Sequence, residues 1–167
     1  MRMPLYPWGA CTWFPGKPNV GQLMDLCEEN YGYLMRLAPN LRQMHGCCQS
    51  QLKGALNLYL EVLEQTPYTT LIHITYFFSH QQGHRPDPDA RVRIYHDARQ
   101  SEVVELRQQA LPLNAGVERP TLEQKWKINL FLSKWLAYCV RQGHQFNFDE
   151  SQVGGQSTRR PDLAESC

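Results

Sequence analysis

Val92-Arg93-Ile94-Tyr95-His96-Asp97-Ala98, followed by Ser101-Glu102-Val103-Val104-Glu105-Leu106, decides how this chain folds. Both runs interleave apolar and polar residues, as half-buried strands do, and a short polar stretch separates them. They read as one β-hairpin with His96, Asp97 and Glu102 gathered at its tip. Alternation puts Val92, Ile94 and His96 on one face, and Arg91, Arg93, Tyr95 and Asp97 on the other. In the second run Glu102, Val104 and Leu106 share a face, opposed to Val103, Glu105 and Arg107. Matching the apolar faces predicts His96 opposite Glu102, Tyr95 opposite Val103, Ile94 opposite Val104, Arg93 opposite Glu105 and Val92 opposite Leu106. Residues 97–101 are then the connection, with Asp97 expected to bond the amides of the turn.

The neighbouring segments are read from this hairpin outward. Tyr68 to Ser79 is rich in Thr, Ile, Tyr and Phe, a strand composition. Leu52 to Thr66 fits two periods. Leu56, Leu58, Leu60 and Val62 alternate with Asn57, Tyr59 and Glu61, yet Leu52, Leu56, Tyr59, Leu60 and Leu63 also fit a helix. A strand at Tyr68 needs a neighbour and Thr66-Pro67 suits a hairpin connection, so this segment is read as a strand. Strands three and four are Arg91 to His96 and Glu102 to Gln108. Met44 to Ser50, His80 to Ala90 (with Gly83, Pro86 and Pro88) and Ala110 to Arg119 read as loops.

Two amphipathic helices flank the strands. Leu23, Leu26, Cys27, Tyr31, Leu34 and Leu37 form the apolar stripe of a helix over Val20 to Ala38, stopped by Pro39. Asn30 lies near that stripe and is expected to find a backbone partner. Ile128, Phe131, Leu132, Trp135, Leu136 and Cys139 form the stripe of a second helix over Thr121 to Gln142. Thr121 and Gln124 have capping-box spacing, and Gly143 supplies the stop. The predicted class is α+β: a four-stranded antiparallel meander covered on one face by an N-terminal and a C-terminal helix. Residues 1–19, with four prolines, Trp8, Trp13 and Phe14, read as an irregular arm partly docked on a surface, its own in the first reading and a partner's in the second. Residues 20–146 read as a single domain, and 147–167 as a disordered polar tail.

Composition narrows the function. A net charge of +1 over 167 residues supplies no bulk field for nucleic acid or an anionic membrane. No apolar run is long enough to cross a bilayer, and prolines and glycines break up the first residues, so a cytoplasmic protein is expected. Six cysteines without a C-x-x-C pair fit a reducing compartment. Cys27 and Cys139 fall on helix stripes as small core groups. There is no Gly-rich phosphate loop, G-x-S-x-G, H-E-x-x-H or dinucleotide fingerprint.

Four constellations remain. His96 with Glu102 or Asp97 has the residue types of a base and its orienting carboxylate, but no nucleophile accompanies them, and a structural contact at the turn is the simpler reading. Arg91, Arg93, Tyr95 and Arg107 on one sheet face could hold an anionic ligand or an acidic partner, against a solvated face laced with pairs such as Arg93–Glu105. Cys47, Cys48, His80 and His84 are weak metal candidates, since adjacent cysteines are not the usual zinc pair. Lys125, Trp126, Lys127, Lys134 and Trp135 interleave base and aromatic, but Trp135 belongs to the buried stripe, which favours a core helix with solvated lysines.

Four blocks carry a family resemblance. They are Leu26-Cys27-Glu28-Glu29-Asn30-Tyr31 through Leu34, Arg36-Leu37 and Pro39; Tyr68-Thr69-Thr70-Leu71; Val92 to Ala98 with Glu102-Val103; and Ile128-Asn129, Phe131-Leu132, Trp135-Leu136, Tyr138-Cys139 and Gly143. Together, over Leu23 to His144, they resemble the YqiB-like family of short proteobacterial proteins, a domain of unknown function. The resemblance implies a single domain in a Gram-negative cytosol and a strand at Leu56 to Val62. It brings no activity, cofactor or catalytic residue. The function expected is a non-enzymatic protein-binding or regulatory module. A small anionic-ligand module on the Arg91/Arg93/Tyr95 face is the second reading, and a hydrolase-type enzyme using His96 the third. No cofactor, metal or membrane is expected.

Overall fold

The computed structural model describes residues 18–80, 83–108 and 120–147. The aromatic arm before Pro18, the expected loop over 110–119 and all but the first residue of the polar tail lie outside the described residues.

Helix α1 spans Val20–Leu37. Asn19 caps it by accepting from the Gln22 amide, while the Gln22 side chain returns a bond to the Asn19 amide. Ala38 ends it ahead of Pro39. A short 3-10 turn over Leu41–Gln43 then drives Leu41 and Met44 into the core. Five strands follow: β1 (Gly46–Ser50), β2 (Leu58–Gln65), β3 (Thr69–His80), β4 (Gly83–Tyr95) and β5 (Gln100–Arg107). They pair antiparallel in chain order. Helix α2 closes the fold over Leu122–Gln142, with the expected Thr121–Gln124 capping box and Gly143 at φ 92°, where a side chain would be strained.

One face of the sheet makes the core. Leu58 and Leu60, Ile72 and Ile74, Val92 and Ile94, and Leu106 meet Leu34 and Leu37 of α1 and Leu132, Leu136 and Cys139 of α2. Each large apolar side chain buried there contributes roughly 1.5–3 kcal/mol. Phe146 joins them, and its amide donates to the Leu37 carbonyl at 2.6 Å, fastening the end of α2 to the end of α1.

The sheet has five strands where four were expected. The extra one, β1, lies in the predicted Met44 to Ser50 loop. Gly46-Cys47-Cys48-Gln49-Ser50 has no β-branched residue to announce it. It pairs with β2, and a distant contact holds its end: Ser50 Oγ lies 2.9 Å from His144 Nδ1 and accepts from the Gln145 amide at 3.3 Å. Strand β4 likewise begins at Gly83 instead of Arg91 and runs through Pro86 and Pro88. A register shift between Thr75 and Phe77 absorbs the prolines, which cannot donate to a ladder.

The hairpin register also differs from the predicted one. Tyr95 pairs with Gln100, Ile94 with Ser101, Arg93 with Glu102 and Val92 with Val103. A β-bulge then shifts the ladder, so that Arg91 faces Glu105 and Ala90 faces Leu106. Ordinary alternation would put Val103 and Leu106 on opposite faces; the extra residue lets both turn toward the core. Val104 is left 54% exposed. The Val103 amide donates to Asn129 Oδ1 on α2 at 3.0 Å. Asn129 Nδ2 is tied to the Lys125 carbonyl at 2.9 Å, and the Asn129 carbonyl accepts from Asn30 Nδ2 of α1 at 3.1 Å. Asn30 thus finds the backbone partner expected of it. Asn129→Ala removes the acceptor of the Val103 amide and is expected to cost about 1–3 kcal/mol in urea denaturation. A loss below about 0.5 kcal/mol, the range of an indifferent surface change, would contradict this role.

Candidate functional site

The bulge separates residues that the sequence gathers at the turn. His96 lies on the helix-covered side and contacts Thr70, its Nε2 2.7 Å from Thr70 Oγ1. Glu102 is on the opposite face and accepts from the Tyr95 hydroxyl at 3.1 Å. The predicted His96–Glu102 pair is therefore absent, and His96 cannot use Glu102 as its orienting carboxylate. Asp97 is exposed in the turn. Its charge favours protonation of His96, but burial and the Arg42 charge outweigh it and hold the imidazole below its ordinary pKa.

The bonds around His96 fix its tautomer. Gln65 Nε2 donates to the Leu41 carbonyl at 3.0 Å, which turns Gln65 Oε1 toward Thr70. The Thr70 hydroxyl donates to that oxygen, so Thr70 Oγ1 accepts from His96 Nε2–H. Nδ1 is then the bare nitrogen, buried without a hydrogen-bond partner. The His96 amide donates to the Tyr68 carbonyl at 2.9 Å and Arg42 Nη2 to the Pro67 carbonyl at 2.7 Å, so both clasp the β2–β3 turn. Between these groups and α1 lies a cleft of about 190 Å³, lined by Tyr31, Met35, Leu41, Arg42, Gln43 and His96 among others. The sequence reading missed Arg42, Gln65 and Thr70 because each reaches the site from a different element.

The other sheet face carries the charges. One cross-strand row runs Cys47, Glu61, His73, Arg91 and Glu105, through all five strands. Glu105 is shared: Arg107 meets it at 2.8 Å and Arg91 at 3.6 Å. Arg93 lies 3.9 Å from Glu64, not against Glu105 as the predicted register had it. His73 Nε2 contacts Asp89, while Nδ1 lies 4.0 Å from Glu61. Burial first, and then the Glu102 charge, push the Tyr95 phenol above its ordinary pKa. Arg91, Arg93, Tyr95 and Arg107 do share this face, as the alternation predicted, and each has a carboxylate beside it. Glu61, His73 and Asp89 went unnoticed because Asp89 falls in the predicted loop.

Cys47 and Cys48 do not form a joint site. Successive strand residues point to opposite faces, so Cys47 is exposed on the charged face while Cys48 packs partly against the core. Burial raises the Cys48 thiol and pushes Cys27 up to about 11. His80 and His84 pair near the β3–β4 turn with Gly83 and Ser79; their side chains are outside the described residues. Among the described residues no three His, Cys, Asp or Glu side chains are arranged to hold a metal ion. No helix among them is long and apolar enough to cross a membrane.

The fold and these two faces define an α+β domain whose antiparallel sheet is backed by helices on one side and charged on the other. A family profile described as "Protein of unknown function (DUF1249)" matches residues 33–145, and the chain belongs to that family. The match takes in Arg42 and His96, the whole sheet and α2, while Tyr31 of the cleft precedes it. The chain is similar to "Uncharacterized protein YqiB" of Escherichia coli strain K12, 33% identical over 131 residues, which cover 75% of this chain and 91% of the relative. The protein of the same description from Escherichia coli O157:H7 matches equally, at 33% over 131 residues. No solved structure matches the chain.

Two predictions follow from the imidazoles. Burial lowers both His96 and His144 from the ordinary 6.5, so on acidification the unfolded chain takes up protons first. Their contribution to stability is complete above 6.5 and is lost as the pH falls below it toward the folded-state values. Urea midpoints between neutral and mildly acid pH will show this decline, and His96→Gln with His144→Gln will flatten it; an equally steep double variant would assign the decline to other groups. In a nuclear magnetic resonance titration, Asp97→Asn lowers the His96 pKa further, whereas Glu102→Gln leaves it unmoved. A fall in Glu102→Gln would restore the predicted pair.

Proposed function

We propose that this domain is a cytosolic, non-enzymatic protein-binding or regulatory module whose recognition surface is the charged face of the sheet. The observation that carries the reading is the pairing on that face. Arg91 and Arg107 share Glu105, Arg93 faces Glu64, and His73 stands between Glu61 and Asp89. A single anion would have to compete with a carboxylate at each arginine. A protein surface carrying both signs can exchange these partners one for one and be read by their pattern. Tyr95, half-buried beside Arg93 and Glu102, adds the kind of aromatic anchor common at such contacts. The location of Glu102 and the sealed Nδ1 of His96 weigh against acid–base chemistry at the turn.

Copurification with isotope-quantified mass spectrometry tests this. A protein enriched by the wild-type chain and by Lys134→Glu, a charge change on the exposed side of α2, is expected to be lost with Arg93→Glu. Rebuilt from purified components, the Arg93→Glu complex should bind at least about tenfold more weakly. Enrichment that survives Arg93→Glu would remove the sheet face from the reading.

A further inference from the structure

The cleft between α1 and the His96 turn has the chemistry of a second, separate site. One wall is apolar: Tyr31 and Met35 lie one helical turn apart on α1 and line it together. The opposite side is cationic. Arg42 spends Nη2 on the Pro67 carbonyl and, alone in this respect among the arginines of the two sites, makes no ion pair among the described residues. Among the described residues no carboxylate lines the cleft. His96 and Leu41 are held in place by the Gln65–Thr70 chain, so this side is organised before any ligand arrives.

The geometry points to a small aromatic carboxylate as the ligand of this cleft, its carboxylate on the Arg42 guanidinium and its ring against Tyr31 and Met35. A guanidinium is the donor that carboxylates pair with most directly, through two parallel N–H bonds. A tyrosine ring and a thioether both pack well against an aromatic face. A cleft of about 190 Å³, partly open to solvent, accommodates a small molecule. Charge selects a monoanion over a dianion: Arg42 supplies the cleft's lasting positive charge, since burial and Arg42 itself keep His96 neutral, and Asp97 stands close to His96 from the turn. The site is independent of the proposed protein-binding face, because it lies on the helix side of the sheet.

Benzoate, titrated into the labelled full-length chain, is the probe. With a dissociation constant on the order of 1 mM, it should saturably move the His96 Cε1–H and Arg42 Nε–H signals. By linkage, bound negative charge should also raise the His96 pKa. Arg42→Gln should weaken binding at least about tenfold, with Arg42→Lys in between. Inorganic phosphate, without an apolar body, should bind at least about tenfold more weakly than benzoate. Unmoved His96 signals, shifts that persist in Arg42→Gln, or shifts at Arg91, Arg93 and Arg107 instead would overturn the assignment. Equal binding of phosphate would overturn the aromatic part of it. If Arg42→Gln fails to fold, the wild-type His96 shift and pKa decide alone.

Discussion

The amide of Val103 leaves the strand ladder and donates to Asn129 on α2. Most of the arrangement depends on that bond. A bulge exposes a backbone donor, and a buried donor left unpaired is costly. Asn129 meets the requirement from the helix layer, and Asn30 of α1 is bonded to the same residue. One asparagine therefore joins the last strand to both helices. It also fixes which residues of β5 face which side. Val103 and Leu106 turn to the core, while Glu102 and Glu105 turn outward to Tyr95 and the arginines.

The two faces differ in kind as a result. The covered face is mainly apolar, with Thr70, Gln65 and His96 forming a short polar chain beside the cleft and Ser50 meeting His144 elsewhere. The outward face is a lattice of opposite charges across four of the five strands, β2 to β5. A hairpin of plain alternation would have placed Glu102 beside His96 and suggested an acid–base pair. The bulge gives Glu102 to Tyr95 and leaves His96 to Thr70. His96 is then a half-buried group, its pKa held below the ordinary value, that holds the turn, and the outward face is left to the charged side chains.

The helices were legible in the sequence because their signals are local. Leu26, Cys27, Leu34 and Leu37 mark α1, and Thr121 with Gln124 and Gly143 mark both ends of α2. The strands that alternate between apolar and polar positions, at Leu58 to Val62 and Val92 to Tyr95, were legible for the same reason. What was missed is held by distant partners or by irregular backbone. Strand β1 depends on a contact between Ser50 and His144, 94 residues away, which no local pattern encodes. The first half of β4 is hidden by Pro86 and Pro88. The β5 register turns on one extra residue, and Val103-Val104 looks the same whichever valine faces inward. The Arg/Tyr face survived the register error because β4 alone positions Arg91, Arg93 and Tyr95. The cleft was not legible, since Arg42, Thr70 and His96 come from three separate elements.

The central claim is that the bulge in β5 sorts these side chains between the two faces. Cross-strand nuclear Overhauser effects between β4 and β5 test it most directly. The account predicts contacts of Tyr95 with Gln100, Arg93 with Glu102 and Arg91 with Glu105, with Val104 as the unpaired residue. Contacts of His96 with Glu102 and of Arg93 with Glu105 would mean an unbulged hairpin and contradict it.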